Sequence, residues 1–464
     1  MDASPIIVWL RRDLRLADNP ALAAAAAGPV IPVFILEDGE EIGGAARWWL
    51  RQSLADLRRR MPLLLRRGEP ARVLTELAAE TGASAVHWNR RYSPAGAASD
   101  RAAAAALAEA GVAVRDFPGN LLFEPWTVRS RAGEPFRVFT PFWNRCREHE
   151  VAAPLPAPDS LRGPSAPPRG DTLDSWRLPP DDPEWMDGLA AAWRPGEDAA
   201  AVRLADFIDE SLDQYATARD RPDQPGTSRL SPHLSFGEIG PRQLRQAVGA
   251  ASLGGGEPFL RQLGWREFAW HLLHHAPDMD RVPLRPEFAR FPWRSDDDLF
   301  EAWRQGRTGY PIVDAGMRCL RRTGWMHNRV RMIVASFLVK DLLMPWERGA
   351  AWFLERLVDA DLAINAASWQ WVAGCGTDAA PYFRIFNPVL QGEKFDPRGR
   401  FVRQWVPELA GLPDLTIHRP WQAAPAALAK ADITLGQSYP PPVVDHGAAR
   451  RRALLAYQQA RGAA

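Results

Sequence analysis

Short apolar runs alternate with alanine-rich segments over the first 120 residues. The runs cover residues 6–10, 30–36, 61–65, 83–88 and 112–116, and they are unpatterned, as buried parallel strands are. The segments between them, near 19–27, 45–60, 71–80 and 97–110, are predicted helices. Asp18 or Asn19 is the expected N-cap of the first helix, with Pro20 in its first turn. This alternation predicts a doubly wound parallel α/β domain, although no G-x-G-x-x-G follows the first strand.

The pattern then changes twice. Residues 131–199 contain stretches rich in Pro, Gly and Asp, such as "VAAPLPAPDS", and are predicted to form a long linker over the surface. After residue 200 the apolar residues recur every three or four positions, which predicts an all-helical region. Two of its helices should be separated near Thr323 and Gly324. The predicted parts are therefore an α/β domain (1–130), a linker (131–199) and a helical domain (200–464).

Composition excludes several classes of protein. The 464 residues are 46% hydrophobic and 24% charged, which is typical of a globular protein. Neither a signal peptide nor a membrane-spanning run is visible, so we expect a cytoplasmic protein. The three cysteines are isolated, which argues against a disulfide scaffold or a four-cysteine metal site. "HLLHH" lacks the Glu of a zinc protease, and we predict no metal site.

The net charge of +1 provides no overall attraction to nucleic acid, but nearly all the cations are arginines. Arginine binds phosphate in a bidentate manner, so local patches could still hold a nucleic-acid backbone. A GC-rich genome would also enrich arginine and alanine, and composition alone leaves both explanations open.

The segment "GTSRLSPHLSFG" has hydroxyl groups where a helix is expected to begin, at Thr227, Ser228 and Ser231. The free N–H groups and the positive end of a helix suit a pyrophosphate. A plain N-cap without a ligand is the alternative.

"GWMHNRVRM" places Asn328, Arg331 and Met332 on one helix surface, where Asn could bond a heteroaromatic ring and Arg a carboxylate. A solvated face is the alternative.

Two carboxylates, Asp359 and Asp361, lie in an apolar stretch, and Asn365 follows Asp361 by four residues. Buried carboxylates need partners. Arg331 is a candidate partner for Asp359, and a role of Asp359 as helix N-cap is the competing account.

Tryptophan is unusually frequent, with 20 Trp against 6 Tyr. The segment "ASWQWVAGCGTDAAPYFRIFNP" alone combines Trp369 and Trp371 with several other aromatic residues. Packing rarely needs so much indole, since Leu, Ile and Phe fill space with less steric risk. The composition therefore raises the hypothesis that some of these rings have a chemical role.

Taken together, the longest motifs resemble the photolyase/cryptochrome flavoproteins, and most closely bacterial cyclobutane pyrimidine dimer DNA photolyases. They are "VWLRRDLRLADNPAL", "GTSRLSPHLSFGEIGPRQL", "GRTGYPIVDAGMRCLRRTGWMHNRVRMIVASFLVKDLL", "DLAINAASWQW" and "GTDAAPYFRIFNPVLQGEKFDPRGRFVRQWVPEL". The resemblance implies a Rossmann-like N-terminal antenna domain and a C-terminal all-helical domain that binds a U-shaped FAD. It further implies a light-driven lyase that repairs UV-damaged DNA, expected to be monomeric and without membrane contact.

The resemblance also assigns residues. The positions that match the FAD site are Tyr215, Thr227, Ser228, Arg229, Leu230, Ser231, Asn328, Arg331, Asp359, Asp361 and Asn365. Those that match the lesion pocket and DNA surface are Arg219, Gln262, Trp265, Arg266, Asn328, Met332, Trp371 and Arg384. Trp369, Trp346 and Trp293 match a tryptophan chain that carries an electron from the surface to photoexcited flavin. Trp369 and Trp371 would thus serve two different tasks.

Several positions refine this expectation. Met332 stands where 6-4 photolyases carry an essential histidine. Asn328 is the residue that photolyases, rather than cryptochromes, have at this position near the flavin. Gln262 and Phe259, in contrast, replace the Glu and Trp that cyclobutane photolyases commonly have. A cryptochrome photoreceptor without repair activity is the alternative function. Methenyltetrahydrofolate, a deazaflavin or no second antenna chromophore all stay open.

Overall fold

A five-stranded parallel sheet forms the centre of the N-terminal domain. The structure is a computed structural model that describes residues 4–39, 42–378 and 383–462. The strands are β1 (Ile6–Leu10), β2 (Val30–Glu37), β3 (Leu64–Gly68), β4 (Ala85–Asn89) and β5 (Ala113–Phe117). Their order is β3-β2-β1-β4-β5, with every neighbouring pair parallel. The doubly wound sheet is therefore confirmed, although the third strand begins three residues later than predicted.

Helices cover both faces of this sheet: α1 (Pro20–Ala25), α2 (Gly44–Arg60), α3 (Pro70–Thr81) and α4 (Pro94–Glu109). Alternate residues of β1 serve different cores, because successive side chains point to opposite faces. Val8 and Leu10 pack with α1 and α2, whereas Ile7 and Trp9 pack with α3 and α4. The Asn19 side chain accepts a hydrogen bond from the Leu22 N–H, as expected of an N-cap.

The segment 131–199 is more ordered than a surface linker. It contains α5 (Phe139–Cys146), a 3₁₀ turn (Asp174–Trp176) and α6 (Pro183–Ala192). Trp176, Trp185 and Trp193 are buried and join the core on the α2 face of the sheet. Residues 151–170 contain no buried residue and lie at the surface, as expected, whereas burial of these indole rings makes residues 176–193 part of the core. The three residue ranges assigned to domains stay a prediction.

The remainder of the chain is helical, as predicted. Its helices are α7 (Glu197–Glu210), α8 (Tyr215–Ala218), α9 (Ser231–Phe236), α10 (Pro241–Ala251), α11 (Gly256–His275), α12 (Asp297–Gln305), α13 (Pro311–Thr323), α14 (Asn328–Ser336), α15 (Trp346–Arg356), α16 (Leu362–Ala373), α17 (Pro388–Phe395), α18 (Arg400–Trp405), α19 (Pro425–Lys430) and α20 (His446–Gly462). Shorter 3₁₀ turns lie at Pro286–Arg290, Pro407–Leu409 and Pro420–Gln422, and a π-helical turn at Phe337–Asp341.

The predicted interruption between α13 and α14 is confirmed. Gly324 ends α13 in the left-handed conformation at φ 65°, which glycine adopts without steric cost. Its N–H bonds the Leu320 carbonyl, and α14 starts anew at Asn328. Among the described residues, no helix is both long and apolar enough to cross a membrane.

Candidate functional site

An ion pair between Arg331 and Asp359 lies at the centre of the candidate site. Arg331 Nη2 donates to Asp359 Oδ2 at 2.7 Å, and Arg331 Nε donates to the Met326 carbonyl at 2.7 Å. Ser231 Oγ donates to the same Asp359 oxygen at 2.6 Å. The Asp359 side chain is only 4% exposed, so its charge depends on these donors. The predicted pairing of Arg331 with Asp359 is thus confirmed.

The neighbouring carboxylate has a different task. Asp361, not Asp359, is the N-cap of α16, and its side chain accepts from the Ile364 N–H at 2.9 Å. Burial raises the pKa of Asp361, and the positive charge of Arg266 opposes that rise. Arg266 belongs to α11 and Arg331 to α14. Arg266 itself forms its ion pair with Glu267, at 3.1 Å, whereas Arg331 pairs directly with Asp359.

The segment expected to hold phosphate lines a cleft of about 470 Å³ together with Trp325 and His327. Thr227, Ser228 and Arg229 are the members of that segment in the lining. The helix that follows, α9, has six residues, and its N-cap is Leu230, whose side chain cannot cap. The hydroxyl of Ser231 is already used by Asp359 rather than by the helix end.

Three buried polar atoms around this region have no hydrogen-bond partner within the described part of the chain: Arg229 Nε, His327 Nε2 and Asp359 Oδ1. Burial lowers the pKa of His327 to about 4, so its ring is neutral near pH 7. Its Nδ1 accepts from the Arg329 N–H at 3.1 Å, which leaves Nε2 as a donor. Two donors and one acceptor are thus buried without partners, which is costly unless a ligand satisfies them. Phosphate oxygens and hydroxyl groups, both of which FAD contains, fit this set.

The other predicted cofactor residues lie nearby with varied surroundings. Asn328 is exposed at the first position of α14. Asn365 donates through Nδ2 to the Ala350 carbonyl at 3.0 Å. Tyr215 is buried between Phe207 and Phe259, with ring centroids 5.6 and 5.4 Å away. Their role as FAD contacts stays a prediction.

One face of α11 carries Gln262, Trp265 and Arg266, at the i, i+3 and i+4 spacing of helix neighbours. Arg219 Nη2 donates to Gln262 Oε1 at 3.0 Å, and the Gln262 amide N–H₂ makes a longer contact with the Pro258 carbonyl at 3.3 Å. The Trp265 ring stacks on Phe139 at 3.7 Å between centroids and 8° between planes. This stacking fixes the indole plane, a feature that no sequence motif indicated.

A small inner cavity brings Trp371 and Arg384 together with Lys340 and Phe383. Lys340 was missed at the sequence level, although a lone lysine inside "ASFLVKDLL" was a signal. Its side chain is fully buried; Nζ donates to the Ala373 carbonyl at 2.6 Å and lies 3.0 Å from the Phe383 ring centroid. Burial lowers the pKa of Lys340 well below its usual value. Met332, one turn after Asn328 on α14, is partly buried.

The three tryptophans of the predicted electron chain differ in burial. Trp369 and Trp346 are 2% and 1% exposed, whereas Trp293 is partly buried at the edge of the same core. The α15 helix that carries Trp346 packs tightly on Trp369, since a Cβ added at Gly349 would lie 2.1 Å from that ring. Trp303 and Phe353 also contact Trp369, at 6.4 and 5.0 Å between ring centroids. The burial gradient agrees with an interior-to-surface route, and electron transfer itself stays a prediction.

No metal centre is apparent: within the described ranges, no group of three or more His, Cys, Asp or Glu side chains could hold an ion. Of the histidines of "HLLHH", His271 is buried, His275 is partly buried and His274 is exposed. His271 bonds the Pro125 carbonyl and accepts from the Phe136 N–H, both at 3.1 Å.

Comparison with known proteins matches both parts of the chain. Residues 6–159 match the family model for DNA photolyase, and residues 259–459 match the FAD-binding domain of DNA photolyase. A deoxyribodipyrimidine photo-lyase from Agrobacterium fabrum is 49% identical over 98% of both chains. Cryptochrome-1 of Arabidopsis thaliana is 40% identical over 98% of this chain and 70% of its own length. A crystal structure of a bacterial class III photolyase from Agrobacterium tumefaciens superposes with a TM-score of 0.97 at 48% identity, covering 100% of this chain and 98% of that one.

Proposed function

Because this chain belongs to the photolyase/cryptochrome family, we propose that it is a light-dependent DNA-repair enzyme that splits cyclobutane pyrimidine dimers. The main support is the convergence of two helices on the start of α16. Arg331, on the helix α14 that is proposed to face the cofactor, pairs with Asp359, and the helix α11 that is proposed to face the lesion packs against α16. A cofactor and a substrate held by these helices would therefore lie close together.

The cofactor side uses three buried groups that have no hydrogen-bond partner among the described residues. The His327 Nε2–H and the Arg229 guanidinium would donate to FAD phosphate or hydroxyl oxygens, and Asp359 Oδ1 would accept from a hydroxyl or ring N–H. The Arg331–Asp359 pair would fix that oxygen in place. Asn328 would orient its amide toward the flavin ring. Reduced FAD held by these residues would supply a light-promoted electron for splitting the cyclobutane ring, and the overall reaction would involve no net redox change.

The substrate side combines flat apolar rings with polar groups. Trp265 and Trp371 would form walls against a flipped-out dimer, because extruded bases are commonly held between aromatic side chains. Gln262, Arg219 and Arg266 would meet the carbonyl edges and the backbone. The thioether of Met332 adds apolar contact but offers no acid or base.

Trp369, Trp346 and Trp293 are proposed to relay electrons from the surface toward the interior, where the cofactor is to be kept reduced. Indole suits this task because the ring is readily oxidised and can be buried without a charge. The change from a partly buried Trp293 to a 2% exposed Trp369 supports such a direction.

Repair is tested by illuminating the purified protein with an oligonucleotide that carries one thymine dimer and measuring dimer loss by chromatography. We expect loss under blue light with reduced FAD, none in the dark, and none with an oligonucleotide that carries a 6-4 photoproduct. An FAD-loaded, reduced protein that leaves the dimer intact in light would overturn the proposal.

A cryptochrome-type photoreceptor is the second candidate, favoured by the 40% identity to Cryptochrome-1 of Arabidopsis thaliana. It predicts a light-induced conformational change without dimer loss. Limited proteolysis in light and in darkness, run on the same samples, separates the two functions.

A further inference from the structure

The segment 383–386 forms one wall of the inner cavity and is held at both of its ends. At the first end, the Phe383 ring points into the protein, and this residue is 9% exposed. At the other end, the Phe386 N–H donates to Ser336 Oγ at 3.3 Å, and α17 begins two residues later. Arg384 lies between the two ends and is exposed. The position of its guanidinium therefore depends on how firmly the ends are fixed.

The Phe383 ring is enclosed between groups from two separate elements. Lys340 Nζ lies 3.0 Å from the ring centroid. The Tyr457 ring lies nearly parallel to it, with 4.5 Å between centroids and 7° between planes. A parallel ring at that distance leaves no room for a nitrogen on the same side, so the two groups occupy opposite faces. Lys340, Phe383 and Tyr457 thus form a three-layer stack.

Both faces and one edge of the Phe383 ring favour a single orientation. An N–H group over the face of an aromatic ring is attracted to that face whether the nitrogen is charged or neutral. Offset parallel rings are stabilised beyond the area that they bury. At the edge, a Cβ added at Gly374 would lie 3.1 Å from Phe383 Cδ2, so a side chain there would press on the ring. The segment that follows Phe383 is therefore tied to a well-fixed ring.

One π-helical turn supplies the first layer of the stack and anchors the helix that supplies the third. The turn covers Phe337–Asp341, and such turns are often found at functional sites. Its Lys340 reaches the ring, whereas the next residue, Asp341, holds α20. His446 Nδ1 lies 2.6 Å from Asp341 Oδ1, and Arg452 Nη2 donates to the Asp341 carbonyl at 2.6 Å. Two layers of the stack are thus fixed to the same turn.

The stack is adjacent to the residues proposed to meet the lesion. All three of its members line the inner cavity, as Trp371 and Arg384 do. Lys340 Nζ also donates to the Ala373 carbonyl at 2.6 Å, at the end of the helix α16 that carries Trp371. The stack therefore connects the segment that carries Arg384 to the helix that carries Trp371.

We propose that Tyr457 of α20 is a positioning residue of the lesion pocket, which holds Arg384 in place through Phe383. It acts through the Phe383 ring rather than by contact with the dimer. The inference rests on the proposed repair function and deepens it. When a segment adopts its binding arrangement for only part of the time, the apparent dissociation constant rises by the inverse of that fraction. Loss of the stack should therefore weaken dimer binding and leave the photochemistry of a bound dimer unchanged.

Variants at the two outer layers test the stack, with binding of an oligonucleotide that carries one thymine dimer measured in the dark. Tyr457→Leu keeps apolar contact but has no flat ring, so it should bind about fivefold more weakly. Tyr457→Phe keeps the ring and should bind as the wild type does. Lys340→Met acts on the opposite face, should weaken binding in the same direction, and carries the test if Tyr457→Leu does not fold. Leu455→Ala is the matched control, because Leu455 is 59% exposed on the same helix.

A double-mutant cycle shows whether the effect passes through Arg384. In an Arg384→Ala background, Tyr457→Leu should cause little further loss of dimer binding, because the side chain that it positions is gone. FAD content, measured by flavin absorbance, should equal that of the wild type. The number of dimers split per absorbed photon at saturating oligonucleotide should also be unchanged. A general defect of the fold would alter both of these quantities.

The outcomes separate the positioning role from the repair function. If Tyr457→Leu binds the dimer as tightly as the wild type, or if Tyr457→Phe loses as much as Tyr457→Leu, the stack does not position the pocket. A loss that persists in full in the Arg384→Ala background would also overturn the inference. Each of these results leaves the repair function standing. A wild type without preference for the damaged strand would contradict the repair function, and the positioning role with it.

Discussion

Replacing Asp359 with Asn tests the ion pair at the centre of the candidate site. The substitution keeps the side-chain volume but removes the charge that faces Arg331. Arg331 would keep its bond to the Met326 carbonyl, and the Asn amide oxygen can still accept from it, but its largely buried guanidinium would have no counter-ion at this position.

The expected cost follows from burial. Breaking a buried ion pair by removing one partner destabilises a protein by roughly 3–5 kcal/mol. The Asp359 side chain is 4% exposed, but the Arg331 side chain is 22% exposed, so water can partly hydrate the remaining cation. We therefore expect a loss near the lower limit, about 3 kcal/mol in the free energy of unfolding.

Urea unfolding of the FAD-free protein, followed by tryptophan fluorescence, measures this loss. Asp209→Asn is the matched control, because Asp209 is exposed on α7 and should change stability by less than about 0.5 kcal/mol. Ser231→Ala should cost about 1 kcal/mol, since it removes one hydrogen bond and leaves the ion pair. If Asp359→Asn unfolds within about 1 kcal/mol of the Asp209 control, the reasoning about the buried pair is wrong.

Three further predictions concern electron supply, the lesion edge and pH. Trp369→Phe should block light-driven reduction of oxidised flavin yet leave repair intact after chemical reduction, because Phe is far harder to oxidise; photoreduction at the wild-type rate, seen by absorbance, would contradict the chain. Gln262→Glu should place a carboxylate against Arg219, which favours its ionised form, so it should not raise the repair yield per photon near pH 7; a clear rise would show that the new group is protonated beside the dimer. Burial lowers the pKa of His327 to about 4, so between about pH 6.5 and 4 its ring is neutral in the folded protein and charged in the unfolded one. The free energy of unfolding should therefore fall as the pH decreases through that window. His327→Gln should flatten the curve of unfolding free energy against pH, and an unchanged slope would refute the assignment.

Local patterns predicted much of the fold. The apolar runs located the five strands within a few residues, and Gly324 was sufficient to separate α13 from α14. The segment 131–199 was harder to predict. Its Pro and Gly content did not reveal where its tryptophans pack. Trp176, Trp185 and Trp193 reach a core formed by residues more than a hundred positions earlier, and no local pattern carries that information.

The candidate site shows the same limit. Periodicity placed Arg331 on a helix surface, and the need of a buried carboxylate for a partner suggested Asp359, which the structure confirms. The sequence could not show which aspartate caps α16, because both precede the helix and only the backbone geometry identifies Asp361 as the N-cap. Contacts such as Phe139 on Trp265 depend on packing between helices distant in sequence, so they were not predictable.

Overall charge is a poor guide to what this protein binds. Its 57 Lys and Arg residues nearly equal its 56 Asp and Glu residues, and many of these charges neutralise each other within the fold, as Arg11 does with Asp100 and Arg60 with Glu197. Binding of a polyanion depends instead on local regions in which cations outnumber carboxylates. One cleft shares Phe383, Arg384 and Phe386 with the inner cavity. In its lining, Asp220 pairs with Arg329, whereas Lys394 and Arg450 have no carboxylate partner among the described residues. Counterion release depends on the number of phosphates contacted and not on the net charge, so a chain of charge +1 can bind DNA with a steep salt dependence. A GC-rich genome can account for the number of arginines, but it does not account for their concentration along one cleft.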